Sequence, residues 1–148
     1  MDFSDLIADF GVRHNVENIL VVDGAASLDI DGIIVTIVSK EDVLTLSAEI
    51  GDPPAEGNAM FSNLLLEANM QSGSYFAKAP GPGPYFIVRR LAQPLIDGDS
   101  FDSALEAFVN SAETWRRILS DFRPIAAEAA KQHSEASPAF GSSEYMQV

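Results

Sequence analysis

The stretch SLDIDGIIVTIVSKEDVLTLSAEI, Ser27 to Ile50, decides the fold. Asp31-Gly32 lies between two apolar runs, the second of them β-branched. Asp-Gly in that setting marks a two-residue hairpin, because a type I′ turn needs positive φ at both central positions. SKED, Ser39 to Asp42, separates the second run from a third, so the pattern predicts three antiparallel strands in succession. In the third, Leu44, Leu46, Ala48 and Ile50 alternate with Val43, Thr45, Ser47 and Glu49, which gives one buried face and one mostly solvated. The second strand differs, since Ile33, Val35 and Ile37 point one way and Ile34, Thr36 and Val38 the other. It is either a central strand covered on both faces or one whose outer side stays sticky.

Before this meander, Phe3, Leu6, Ile7 and Phe10 fall on one helical stripe, with Asp2 or Ser4 to cap it and Gly11 to stop it. Residues 12–24 fit either an extension of that helix or a short buried strand before Asp23-Gly24. After the loop GDPPAEGN, the residues Met60, Phe61, Leu64, Leu65 and Ala68 repeat at helical spacing from an Asn58 N-cap toward Gly73. SYFAK and YFIVRRL flank APGPGP, a proline-rich stretch confined to a turn or loop, and so predict a second hairpin. IDGDS then opens a long helix whose stripe is Phe101, Leu105, Phe108, Ala112, Trp115, Leu119 and Phe122. The order of helix, three strands, helix, two strands, helix is an α+β fold, with helices packed against a twisted antiparallel sheet. We expect one domain over residues 1–123. The remainder, 124–148, Ala-rich at first and then small, polar and broken by Pro and Gly, is expected to be a partly helical or disordered extension.

Charge narrows the functions open to the chain. Its 148 residues hold 9 Lys and Arg against 22 Asp and Glu, a net −13, which repels nucleic-acid phosphates and anionic membrane surfaces. Hydrophobic residues make up 47% of the chain, too many for a disordered acidic protein. The absence of cysteine, of a signal-peptide pattern at the start and of any membrane-length apolar run predicts a cytoplasmic protein that is not inserted into a membrane.

Catalytic chemistry finds little purchase. Asp29, Asp31 and Gly32 resemble the nucleophile motif of haloacid dehalogenase-type phosphatases, in which an aspartate pair works with Mg²⁺. That family has a hydroxyl residue after the Gly where this chain has Ile33. Its aspartates also end a parallel strand, whereas the links here are too short for crossovers. The hairpin reading is therefore preferred, and a Mg²⁺-dependent phosphatase using Asp29 and Asp31 is the enzymatic alternative. His14 and His133 are the only histidines and form no metal-ligand spacing. No serine sits in a nucleophile elbow. No catalytic residue, metal site or cofactor is expected. The pairs Arg89-Arg90 and Arg116-Arg117 are conspicuous in so acidic a chain, either as solvated faces or as contacts for an acidic partner segment.

Taken together, FSDLIADFG, SLDIDGIIVTI with VLTLSAEIGDPP, MFSNLLLEANM, SYFAKAPGPGPYFIVRRL and the run FVNSAETWRR, Phe108 to Arg117, resemble the Tir chaperone family, the class I chaperones of bacterial type III secretion. The resemblance covers roughly Phe3 to Phe122. It implies a cytoplasmic, non-enzymatic homodimer that keeps the N-terminal chaperone-binding region of a secreted effector extended and secretion-competent. It also implies effector contact by Phe3, Leu6, Ile7, Ile34, Thr36 and Val38, and a dimer interface including Phe61, Leu64 and Leu65. A regulatory protein that sequesters a non-secreted partner on the same scaffold is the other binding function the sequence allows.

Overall fold

The computed structural model describes residues 2–124 apart from 18 and 72. The extension expected beyond the domain, His133 included, lies outside the described residues from 125 onward.

The opening helix α1, Phe3–His14, buries Phe3, Leu6, Ile7, Phe10 and Gly11. It does not stop at Gly11. A Cβ at that position would come within 2.6 Å of Ile19 Cδ1, so the glycine admits a packed neighbour. The helix ends instead at Asn15, whose φ of 55° is left-handed, a conformation asparagine tolerates.

Four strands follow where three were expected: β1 (Leu20–Val22), β2 (Ala25–Ile30), β3 (Ile33–Lys40) and β4 (Val43–Gly51). Each junction is a two-residue turn with positive φ at both positions: Asp23-Gly24 at 48° and 76°, Asp31-Gly32 at 52° and 87°, Glu41-Asp42 at 51° and 64°. These are type I′ hairpins, whose twist matches that of the strands they join. Of the two readings of residues 12–24, the strand before Asp23-Gly24 is the one observed, but its three residues are exposed and not buried, which removes the inside–outside alternation that would have marked it. No atom lies within 4 Å of a Cβ added at Gly32, so only backbone strain opposes a side chain there. Gly32→Ala is accordingly expected to lower the unfolding free energy by ~1–2 kcal/mol in urea titration.

Helix α2, Asn58–Asn69, is capped by Gly57 at φ 76° and not by Asn58. The Asn58 side chain is otherwise engaged, since the Tyr85 hydroxyl donates to its Oδ1 at 2.6 Å. Strands β5 (Tyr75–Lys78) and β6 (Tyr85–Ala92) form the second hairpin, closed across the proline-rich loop by the Ala79 N–H donating to the Pro84 carbonyl at 2.9 Å. Among the described residues the strands make one six-stranded antiparallel sheet in the order β1-β2-β3-β4-β6-β5.

A 3-10 turn, Gln93–Leu95, leads into helix α3, Gly98–Asp121. The Ser100 N–H donates to Asp97 Oδ1 and the Asp97 N–H to Ser100 Oγ, both at 2.8 Å. This reciprocal box satisfies two amides at the helix start and holds the Asp97 carboxyl below its ordinary range. The predicted stripe is observed, with Phe101, Leu105, Phe108, Ala112 and Leu119 buried, and Trp115 and Phe122 partly so. α3 packs along β3 and β4, α1 against α3, and α2 beside β5. The inner residues Ile33, Val35, Ile37, Leu44, Leu46, Ala48 and Ile50 complete one core.

An ion-pair cluster ties α1 to α3. Arg13 donates to both carboxylate oxygens of Asp102, at 2.9 Å to Oδ1, and to Asp9 Oδ2 at 2.8 Å; His14 Nε2 lies 2.9 Å from Asp102 Oδ2. The Arg13 guanidinium, with a smaller contribution from His14, outweighs desolvation and holds the Asp102 carboxyl below its ordinary 3.8. A carboxyl depressed on folding contributes stability above its unfolded pKa and loses it as pH falls through the folded one. Asp102→Asn should therefore flatten the decline of stability below about pH 4, read from urea midpoints across an acid series.

Candidate functional site

The Asp29-Asp31 pair has a structural task. Asp29 Oδ1 accepts the Gly32 N–H at 3.0 Å, closing the hairpin as an Asx-type turn, and Asp31 occupies the left-handed turn position. The parallel strand that the phosphatase motif requires is absent among the described residues, because the Asp29 strand pairs antiparallel on both sides. Among the described residues no group of three or more His, Asp or Glu side chains is arranged to hold a metal ion. His14 is committed to Asp102 and to the ring of Phe10, 4.5 Å away.

The candidate surface is the side of the sheet that the core does not use. Pairing aligns its outward residues in rows: Asp29 opposite Ile34; Ser27, Thr36, Ser47, Val88 and Tyr75; Ala25, Val38, Thr45 and Arg90. Ile34 is 59% exposed and Val38 39%, while their neighbours Val35 and Ile37 are fully buried. Of the two readings of β3, the structure shows the one with an uncovered outer side. The apolar face continues at the sheet edge through Leu20 and Val22, 65% and 54% exposed. Arg90 lies over the Tyr75 ring, 5.9 Å from its centroid.

A second apolar surface lies on α2, where Met60, Leu64, Leu66 and Met70 are exposed. Between α2 and β5 runs a groove of about 190 Å³, lined chiefly by Leu65, Leu66, Phe76 and Tyr85. Exposed apolar patches of this kind mark interaction sites on soluble domains.

The residues singled out in sequence divide between surface and core. Ile34, Thr36 and Val38 stand together on the outer face, and Leu64 is on the α2 surface. Phe3, Leu6, Ile7, Phe61 and Leu65 are inside the core, none more than 5% exposed. They leave a partner no accessible area in this conformation. The helical stripe that singled them out is the same signal a core stripe gives. Sequence reasoning did not single out the exposed Leu20, Val22 and Leu66. The first two belong to a run that alternates with nothing, and Leu66 lies off the α2 stripe.

Solved structures share this architecture. The type III secretion chaperone SycH of Yersinia pestis, in complex with a stable fragment of YscM2, is 19% identical, with 77% of this chain and 99% of that chain covered at a TM-score of 0.60. The ExsC–ExsE complex has a chain 23% identical, with coverages of 85% and 99% at a TM-score of 0.67. In the HopA1–SchA chaperone–effector complex the matching chain is 14% identical, with 79% and 98% covered at 0.61. At such identities the likeness establishes the fold. Among curated proteins no sequence matches the chain significantly. Residues 5–116 match the Tir chaperone protein family, and a match over so much of the sequence means that the chain belongs to the Tir chaperone protein (CesT) family.

Proposed function

We propose that the protein is a type III secretion chaperone that holds the N-terminal segment of a secreted effector, in extended form, against the outer face of its sheet. The observation that carries this reading is the uncovered apolar pair Ile34 and Val38, set on a strand whose inner residues Ile33, Val35 and Ile37 are buried. Such a face can accept alternate side chains of an extended segment without being made by any one partner sequence. A net charge of −13 keeps a body with this much exposed apolar surface soluble. The complexes that SycH and SchA form, with a YscM2 fragment and HopA1 respectively, supply the precedent. The task is binding without turnover, performed in the cytoplasm before export. No helix among the described residues is long and apolar enough to cross a membrane.

In this reading Phe3, Leu6 and Ile7 serve as core, holding α1 against α3, and Phe61 and Leu65 seat α2. The exposed row of α2, with Leu64 at its centre, is the surface through which two copies associate. Leu64→Glu is expected to convert the dimer to a monomer in sedimentation equilibrium, because it buries an unpaired carboxylate in an apolar contact. Leu64 is 37% exposed in the single chain, so its fold should be retained by circular dichroism.

Affinity capture of the full chain from its native cytoplasm, followed by limited proteolysis, tests the chaperone reading. One dominant exported partner, protected over its N-terminal stretch, is the expected result. A partner that stays in the cell, or one gripped through a folded domain, would overturn it in favour of a sequestering regulator.

A further inference from the structure

The ladder between β3 and β4 ends at Val35 opposite Ala48. Both strands continue past that point, β3 back to Ile33 beside β2 and β4 on to Gly51 beside β6 through a bulge. The sheet is thus unzipped at the tip of the β2–β3 hairpin. There it leaves an open cavity of about 330 Å³ whose lining includes Ile34, Thr36, Ser47, Glu49, Phe86 and Arg116.

Arg116 is the one cationic side chain among the described residues of its lining. Arg116 reaches over from α3 and donates to the Gly32 carbonyl at 3.3 Å. Among the described residues no carboxylate comes within ion-pair distance of it. Its neighbour Arg117 is engaged with Glu113 at 3.8 Å. An open guanidinium is notable in a chain with 22 acidic residues against 9 basic ones. Thr36 and Ser47 are direct cross-strand partners, which puts two hydroxyls side by side in the same cavity, with Ile34 and Phe86 as apolar walls. Glu49 is the one carboxylate in the lining.

We propose that this cavity reads an acidic side chain in the captured segment. A Glu or Asp of the partner lays its carboxylate on the Arg116 guanidinium, and the apolar residues flanking it cover Ile34 and Phe86. The proposal rests on the reading that the outer face holds an extended partner segment, and it adds a register. Elsewhere the negative body repels carboxylates, and Glu49 in the same lining tempers the attraction of Arg116, so no more than a single acid within an apolar stretch is selected. Guanidinium and carboxylate suit each other because the planar fork matches both oxygens.

The test titrates the isotopically labelled full chain with acetyl-Ser-Ile-Glu-Ile-Ser-amide and with its Gln and Lys counterparts, followed by NMR at the Arg116 side chain and the β3 amides. The Glu peptide should bind about fivefold tighter than the Gln peptide, the upper end for a partly exposed ion pair. Arg116→Gln should abolish that preference, Arg116→Glu should transfer it to the Lys peptide, and Glu49→Gln should enlarge it. Equal affinities for the Glu and Gln peptides, or a preference that survives Arg116→Gln, would overturn the acid-reading cavity while shifts at Ile34 and Val38 still upheld the outer face as the binding surface. Absence of any shift on β3 at millimolar peptide would overturn both.

Discussion

Leu6→Ala is expected to lower the free energy of unfolding by about 2–5 kcal/mol, visible as a fall in the urea midpoint with little change in slope. Leu6 is fully buried, in one cluster with Phe3, Ile7, Phe10 and the α3 residues Phe101 and Leu105. Truncation removes transfer free energy and leaves a cavity that rigid neighbours fill only in part. The edge-to-face pair of Phe10 and Phe101, with centroids 5.5 Å apart, limits that collapse. Partner affinity per folded molecule should be unchanged, because the side chain has no surface to offer. An affinity loss with an unmoved urea midpoint would instead return Leu6 to the contact role that the family resemblance implied for it.

The opposite pattern is expected on the other side of the sheet. Ile34→Lys combined with Val38→Thr should weaken binding of the captured segment by about 3 kcal/mol, on the order of a hundredfold, while the urea midpoint stays close to that of the parent. Two apolar side chains that a partner would cover are replaced by groups that prefer water. The sheet tolerates the changes for local reasons. Position 34 faces Asp29 across the β2–β3 ladder, where a lysine meets an opposite charge, and threonine keeps the β-branched shape that suits a strand at position 38. Isothermal titration with the partner identified by capture, alongside urea unfolding, separates the two effects. Undiminished affinity would move the binding surface to the edge at Leu20 and Val22 or to the α2 groove.

The two experiments divide residues that look alike in sequence. Leu6 and Ile34 are both apolar and both lie on amphipathic elements, yet one is fully buried and the other 59% exposed. Periodicity identifies which residues share a face, but not whether another element covers that face. The same limit explains Leu64 and Leu65, adjacent on α2 and assigned together, of which only Leu65 is buried.

Local chemistry alone determined the α+β order, the Asp31-Gly32 hairpin, the inner face of β4 and the stripe of α3. In each case the signal lies within a few residues: a turn that demands positive φ, a period of two, or a period of 3.6 behind an acidic cap. The acidic, cysteine-free composition was equally legible. Only the tertiary structure decided that β1 exists as an exposed edge, that Gly11 admits Ile19 and does not end α1, and that Asn58 serves Tyr85 while Gly57 caps α2. It also decided that β3 keeps its outer side bare, and that Arg116 reaches the gap where β3 and β4 part. Each of these depends on which groups meet once the elements pack and on which face the layers leave to solvent.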